Sequence, residues 1–167
     1  MSRNLLTPRQ ALKPFEYPEV EPFYKGIQST YWVHDEIDFS RDLHEFKTAL
    51  SDTERYIIGT ILKTFAQTEI HVADEFWNKL YDYMPKPEIF VLCSTFTENE
   101  MRHALAYDKL NEILGLNDYA TFLEDEVASA RLENLMKIRK DHQGAPSVRD
   151  ICRTLAVFGG FTENVNL

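Results

Sequence analysis

The sequence predicts an all-α protein made of long helices, and three observations carry that prediction. Apolar residues recur at three-and-four spacing over two long stretches. Capping and stop signals bracket both stretches. Between and around them there is no β-hairpin signal, internal repeat, low-complexity tract or glycine-rich phosphate loop.

Taken in order, Pro8, Pro14, Pro18 and Pro22 mark an irregular N-terminal arm expected to lie on another surface, followed by a short helix from about Glu21 to Trp32. Ser51-Asp52-Thr53-Glu54 is a capping-box pattern and predicts the start of a long helix. Along it Ile58, Ile61, Leu62, Phe65, Glu69, Val72 and Phe76 fall on one face, and Met84-Pro85-Lys86-Pro87 stops it. Pro87 suits the first turn of a second long helix, on which Phe90, Cys93, Phe96, Glu100, His103, Tyr107, Leu110 and Leu114 share a face before Gly115 ends it. A third helix is predicted from about Tyr119 to His142 with Leu123, Val127 and Ala130 inward. Ser147-Val148-Arg149-Asp150 caps a fourth, which places Val148, Cys152, Leu155, Gly159 and Glu163 on one face. The expected division is residues 1–50 as arm and short helix, and 51–167 as bundle.

Composition narrows the function. Eighteen Lys+Arg against 27 Asp+Glu give a net charge of −9, the wrong sign for a surface that grips phosphate backbone, so no nucleic-acid partner is expected. Eleven Phe, eight Tyr and two Trp are too many aromatics for a disordered acidic chain. Cys93 and Cys152 lie far apart, outside any zinc or disulfide pattern, and read as reduced thiols of a cytoplasmic protein. The N-terminus has no apolar signal-like run, and Ile89–Cys93 is much too short to cross a bilayer, so no membrane partner is expected.

The chemistry sits in the apolar stripes themselves. A carboxylate among Ile, Leu and Phe is costly unless it is neutralised, paired or bound to a cation. Here that happens on three helices, at Glu69, Glu100 and Glu163. Glu100-Met101-Arg102-His103 is an ExxH element, whose spacing sets a carboxylate and an imidazole on adjacent turns of one face, within reach of one metal ion. Taken singly, His103 reads as a hydrogen-bonded core histidine, Tyr107 as a core aromatic and Trp32 as packing. The coincidence of carboxylates on three inward faces is what favours a metal site.

These residues resemble a known family. Trp32 to Asp42 (WVHDEIDFSRD), Glu69 in its long helix, Phe96 to Tyr107 (FTENEMRHALAY) and Phe158 to Leu167 (FGGFTENVNL) are similar, in order and spacing, to the small, radical-generating subunit of class I ribonucleotide reductase. The resemblance implies a ferritin-like bundle around a dinuclear metal centre, with Glu69, Glu100, His103 and Glu163 as ligands. The metal pair it implies is Fe/Fe first, with Mn/Mn or Mn/Fe as alternatives. It also implies that Tyr107 matches the radical tyrosine, and that Trp32 lies on the electron-transfer route to the large (alpha) subunit, which reduces ribonucleotides, as di- or triphosphates, to deoxyribonucleotides.

The sequence departs from the family pattern in two places. Glu69 stands where many members have Asp, in common with subgroups that include manganese-using members. The second ExxH helix of the family is missing after Leu167, so the bundle is expected to be incomplete. The expected partners are therefore the large subunit, a second copy of the small subunit, and a second polypeptide carrying the missing ExxH, with activity only in their company. Two alternatives stay open at this point: another dimetal oxidase completed by self-association, and a non-catalytic interaction module.

Overall fold

Ser51 begins the bundle through a reciprocal cap: its hydroxyl accepts the Glu54 amide at 3.3 Å, and the Glu54 carboxylate accepts the Ser51 amide at 2.8 Å. The computed structural model describes residues 3–140 and 147–166, and the side chains at 135, 138–140, 161 and 163–166 fall outside that description. Among the described residues all regular structure is helical. Helix α1 spans Glu21–Ser29, α2 Ser40–Thr48 and α3 Asp52–His71. A π-helical segment, Val72–Trp77, continues α3 directly into α4, Asn78–Tyr83. Helix α5 runs over Pro87–Leu114, α6 over Tyr119–Glu124, α7 over Glu126–Lys140 and α8 over Val148–Leu155. A second π-helical segment, Ala156–Asn166, follows α8.

Proline at the start and glycine at the end frame α5 as expected. Gly115 adopts φ 77°, its amide reaches the Glu112 carbonyl at 3.1 Å, and the Leu116 amide reaches the Asn111 carbonyl at 2.7 Å. That pair of bonds satisfies helix-end carbonyls in the Schellman manner. Leu116 is thereby turned onto α3 at Gly59, where a Cβ would lie 3.2 Å from the Leu116 side chain. The glycine thus permits a close approach between α3 and the turn after α5. Helices α3 and α5 pack along each other, and α1 lies across α5.

The core forms where the first long rod ends and the second begins. Val72, Phe76, Leu80, Met84, Ile89 and Cys93 are buried together, and Phe158 closes the cluster from the C-terminal segment. Phe158 stacks on Phe76 with ring centroids 4.9 Å apart and planes 2° from parallel. Cys93 is enclosed here, and burial pushes its thiol up to about 12.

The N-terminal arm docks on this chain's own α5. The Arg9 guanidinium pairs with Glu88, whose other oxygen accepts the amides of Glu16 at 2.8 Å and Tyr17 at 3.0 Å. Lys86 donates to Glu16 at 2.8 Å. Glu88 and Lys86 are both buried, so the network holds its charges away from water with their partners in place.

Several expectations need correction. The helix from Glu21 ends at Ser29, before Trp32, and a 3₁₀ turn (His34–Glu36) and α2 add helical structure to the region read as an arm with one helix. The third helix is two helices, because Asp125 takes an extended ψ of 125° and its carboxylate accepts the amides of Val127 and Ala128, capping α7. The inward residues there are Phe122 and Leu132, whereas Leu123, Val127 and Ala130 are exposed. On α5, Phe90 is 54% exposed. On α8 and its continuation the buried side is Ile151, Thr154, Phe158 and Thr162, whereas Val148, Cys152, Leu155 and Gly159 are exposed. Part of that change is geometric. The Thr162 hydroxyl bonds the Val157 carbonyl five residues back, and a π-helical turn takes more residues than the 3.6 of an α-helix, so an inward face extrapolated at the 3.6-residue period falls out of step there.

Candidate metal centre

The site is assembled by the two longest helices. Glu69 stands near the end of α3, three residues before the π-helical widening at Val72, and Glu100 and His103 face it from adjacent turns of α5. His103 Nδ1 lies 3.2 Å from a Glu100 oxygen and 3.7 Å from a Glu69 oxygen. One potential ligand atom from each of the three residues falls within 4.8 Å of the other two. Glu69 and Glu100 are 3% and 5% exposed, and His103 is partly open.

The electrostatics follow from that crowding. The hydrogen bond to Glu100 raises the His103 pKa against the opposing effect of burial, and the charges of Glu100 and Glu69 add to the rise. Its other nitrogen lies 3.4 Å from the Asn99 side-chain amide. Burial raises the Tyr107 pKa, helped by the Glu69 charge, so the phenol is held in its protonated form. Phe65 packs against the Tyr107 ring at 5.4 Å.

The donor set suits a metal ion. Two hard carboxylates and one imidazole form the mixed set that Fe(II) and Mn(II) accept, and a divalent cation would offset two buried negative charges only a few ångströms apart. The three side chains open onto a cavity of about 510 Å³ that Trp77, Phe96 and Tyr107 also line, with Gly159 of the C-terminal segment on its rim. Apolar and aromatic walls around a few convergent polar groups are the usual make-up of a reactive site.

Four of the six residues marked by the sequence therefore meet at one place: Glu69, Glu100, His103 and Tyr107. Trp32 reaches the same place from the segment after α1, its ring 6.1 Å from that of His103 and inclined by 19°. The side chain of Glu163 lies outside the described residues; Gly159, four positions earlier on its segment, borders the cavity. Sequence reasoning missed Trp77, which packs on Phe96 at 4.2 Å, as well as Asn99 and Arg102. Asn99 was findable, since it precedes His103 by four residues and so shares its helix face.

An all-helical bundle with a glutamate on one long helix facing an ExxH pair on the next defines the ferritin-like class of carboxylate–histidine proteins. Within that class the chain belongs to the ribonucleotide reductase small chain family, whose model matches residues 9–167. It is 26% identical over 175 residues to "Probable ribonucleoside-diphosphate reductase small subunit 376L" of Invertebrate iridescent virus 6, a match covering 98% of this chain and 49% of the viral one. It is 34% identical over 80 residues to the ribonucleoside-diphosphate reductase small chain of Schizosaccharomyces pombe, covering 48% of this chain and 20% of the yeast one. The fold is similar to that of the ribonucleotide reductase R2 subunit from Clostridium botulinum, with a TM-score of 0.74, 22% identity, and coverage of 86% of this chain and 46% of that one. The chain thus spans about half the length of the relatives it matches along its whole extent. Among the described residues no helix is long and apolar enough to cross a membrane.

Proposed function

We propose that this chain supplies the first half of the metal-binding bundle of a cytoplasmic ribonucleoside-diphosphate reductase small subunit, and that it works with a large subunit that reduces the ribonucleotide. The observation carrying the reading is the convergence of Glu69, Glu100 and His103 on one cavity, with Tyr107 on its wall and Trp32 against His103. In this reading the three side chains hold part of a dinuclear centre, Fe/Fe or a manganese-containing pair. Glu163 adds a fourth ligand, and a second ExxH-bearing segment, on whichever polypeptide carries it, covers the open side of the cavity and completes the set. Such a centre, when bound, supplies a one-electron oxidant.

The chain's own residues then have separate tasks. Glu69 and Glu100 provide negative charge where a cation sits, and their burial excludes competing water. Tyr107 keeps its proton until an electron is withdrawn, because burial and the Glu69 charge both disfavour the phenolate. Trp32 provides an aromatic contact between His103 and the segment that follows α1. The further proposals are association into a small-subunit dimer and activity only in the assembled complex.

The test is co-expression of this chain with a segment carrying a second ExxH helix, then anaerobic loading with Fe(II) or Mn(II) and exposure to oxygen. Two tightly bound ions per chain pair and an electron paramagnetic resonance signal support the reading. Absence of any tightly bound metal in the reconstituted complex overturns it.

A further inference from the structure

Arg102 stands between the two candidate ligands of the ExxH element, and its side chain is 5% exposed, an unfavourable place for a cation without specific partners. Its Nε and Nη2 donate to the Glu98 carboxylate at 3.1 and 2.5 Å, which fixes the plane of the guanidinium. The guanidinium also lies over two aromatic rings. The guanidinium carbon lies 4.2 Å from the centroid of Tyr31 and 5.9 Å from that of Trp32. Tyr31 and Trp32 belong to the segment between α1 and the His34–Glu36 turn, which has no helix or strand of its own to fix a ring orientation. Yet Trp32 lies within 19° of parallel to the His103 imidazole. Two neighbouring residues of α5 thus touch the same indole, one through a cation and one through a ring.

We propose that Arg102 is a positioning residue for Trp32: fixed by Glu98, its guanidinium holds the Tyr31–Trp32 segment on α5 and so sets the indole against His103. The consequence for catalysis rests on the reading of Trp32 as the contact between the metal centre and the outside, and the positioning itself does not. Lysine cannot replace it fully, because an ammonium lacks both the fork that grips Glu98 and the flat face that stacks on a ring.

The experiment uses the full chain labelled with 5-fluorotryptophan. Its two tryptophans, Trp32 and Trp77, give two ¹⁹F resonances, assigned with Trp32→Phe. In Arg102→Gln the Trp32 resonance is expected to move by more than its linewidth while that of Trp77 stays, and Arg102→Lys is expected to move it less. Where Arg102→Gln does not fold by circular dichroism, Glu98→Gln, which alters a half-exposed side chain and frees the guanidinium, is expected to give the same displacement. An unmoved Trp32 resonance in the folded variant, or equal movement of both resonances, overturns the positioning role. Broadening of the wild-type resonances by added Mn(II) reports separately on the metal site, so failure of that reading is distinguishable from failure of this one.

Discussion

Glu88 has no exposed surface and pairs with Arg9, a residue 79 positions earlier in the chain. This ion pair ties the proline-punctuated arm to the first turn of α5. Burial by itself would raise the Glu88 pKa, but the helix-start amide, the Tyr17 and Glu16 amides and Arg9 together hold it below the usual carboxylate range. A carboxyl depressed in the folded state contributes stability above its unfolded pKa of about 4.3, and that contribution is lost as pH falls through the lower folded value. Arg9→Ala should therefore cost about 3–5 kcal/mol in urea unfolding at pH 7, because it leaves a buried charge without its partner. The stability difference between wild type and Glu88→Gln should shrink as the pH is lowered from 6 through 4 to below 3, and a difference independent of pH would contradict the assignment.

The two thiols should behave differently. Cys93 is buried in the core cluster and its thiol is pushed up to about 12, so almost no thiolate is available near neutral pH, whereas Cys152 is exposed. Iodoacetamide at pH 8 should add one label to the native chain, at Cys152, and two after denaturation, as read by peptide mass spectrometry. Native labelling of Cys93 at a comparable rate would show that the core opens readily.

Gly115 carries the only positive φ among the described residues. Any L side chain there meets the left-handed penalty of roughly 1–2 kcal/mol, and asparagine tolerates that region better than most. Gly115→Ala should lower stability by about 1 kcal/mol or more, with Gly115→Asn costing less. Because the same turn seats Leu116 against Gly59, thermal melts of both variants should keep a single transition but at lower temperature.

What could be read from the sequence was mostly local. The Ser51 and Ser147 caps and the Gly115 stop depend on a few neighbouring residues, and the structure forms all three as the sequence suggests. The helix break at Asp125 is equally local, and Asp125-Glu126-Val127-Ala128 carried a usable capping signal that the surrounding charge pattern masked. Faces were harder. On α8 one side carries Val148, Cys152 and Leu155 and the other Ile151 and Thr154, so periodicity alone cannot choose between Val148 and Ile151. The choice is made by Phe158 stacking on Phe76, more than eighty residues away in the chain. The meeting of Glu69 with Glu100 and His103 was visible as carboxylates in apolar stripes, because burying charge is expensive enough to mark the sequence. Arg102 left no such mark, since an arginine on a long helix ordinarily reads as solvated, and its role appears only once Tyr31 and Trp32 are placed over it.

The same expense makes the candidate centre a stability problem without metal. Glu69 and Glu100 are buried close together, and His103, shared between them, can offset at most one negative charge. Replacing either glutamate by glutamine removes a buried charge at nearly constant shape. Glu69→Gln and Glu100→Gln should each raise the metal-free melting temperature by about 2–4 °C, corresponding to roughly 1 kcal/mol for a chain of this size. On the proposed reading both should also weaken Mn(II) binding by at least about tenfold, as should His103→Ala, because each removes a proposed ligand. In the wild type, Mn(II) should raise the melting temperature with concentration, as any ligand selective for the folded state does, and chelation should reverse the rise. Thermal scans of the four proteins with and without Mn(II), beside a room-temperature paramagnetic titration, measure both effects. A glutamine variant that is destabilised without metal and still gains as much from Mn(II) as the wild type would mean that the carboxylates hold the helices together and do not bind the ion.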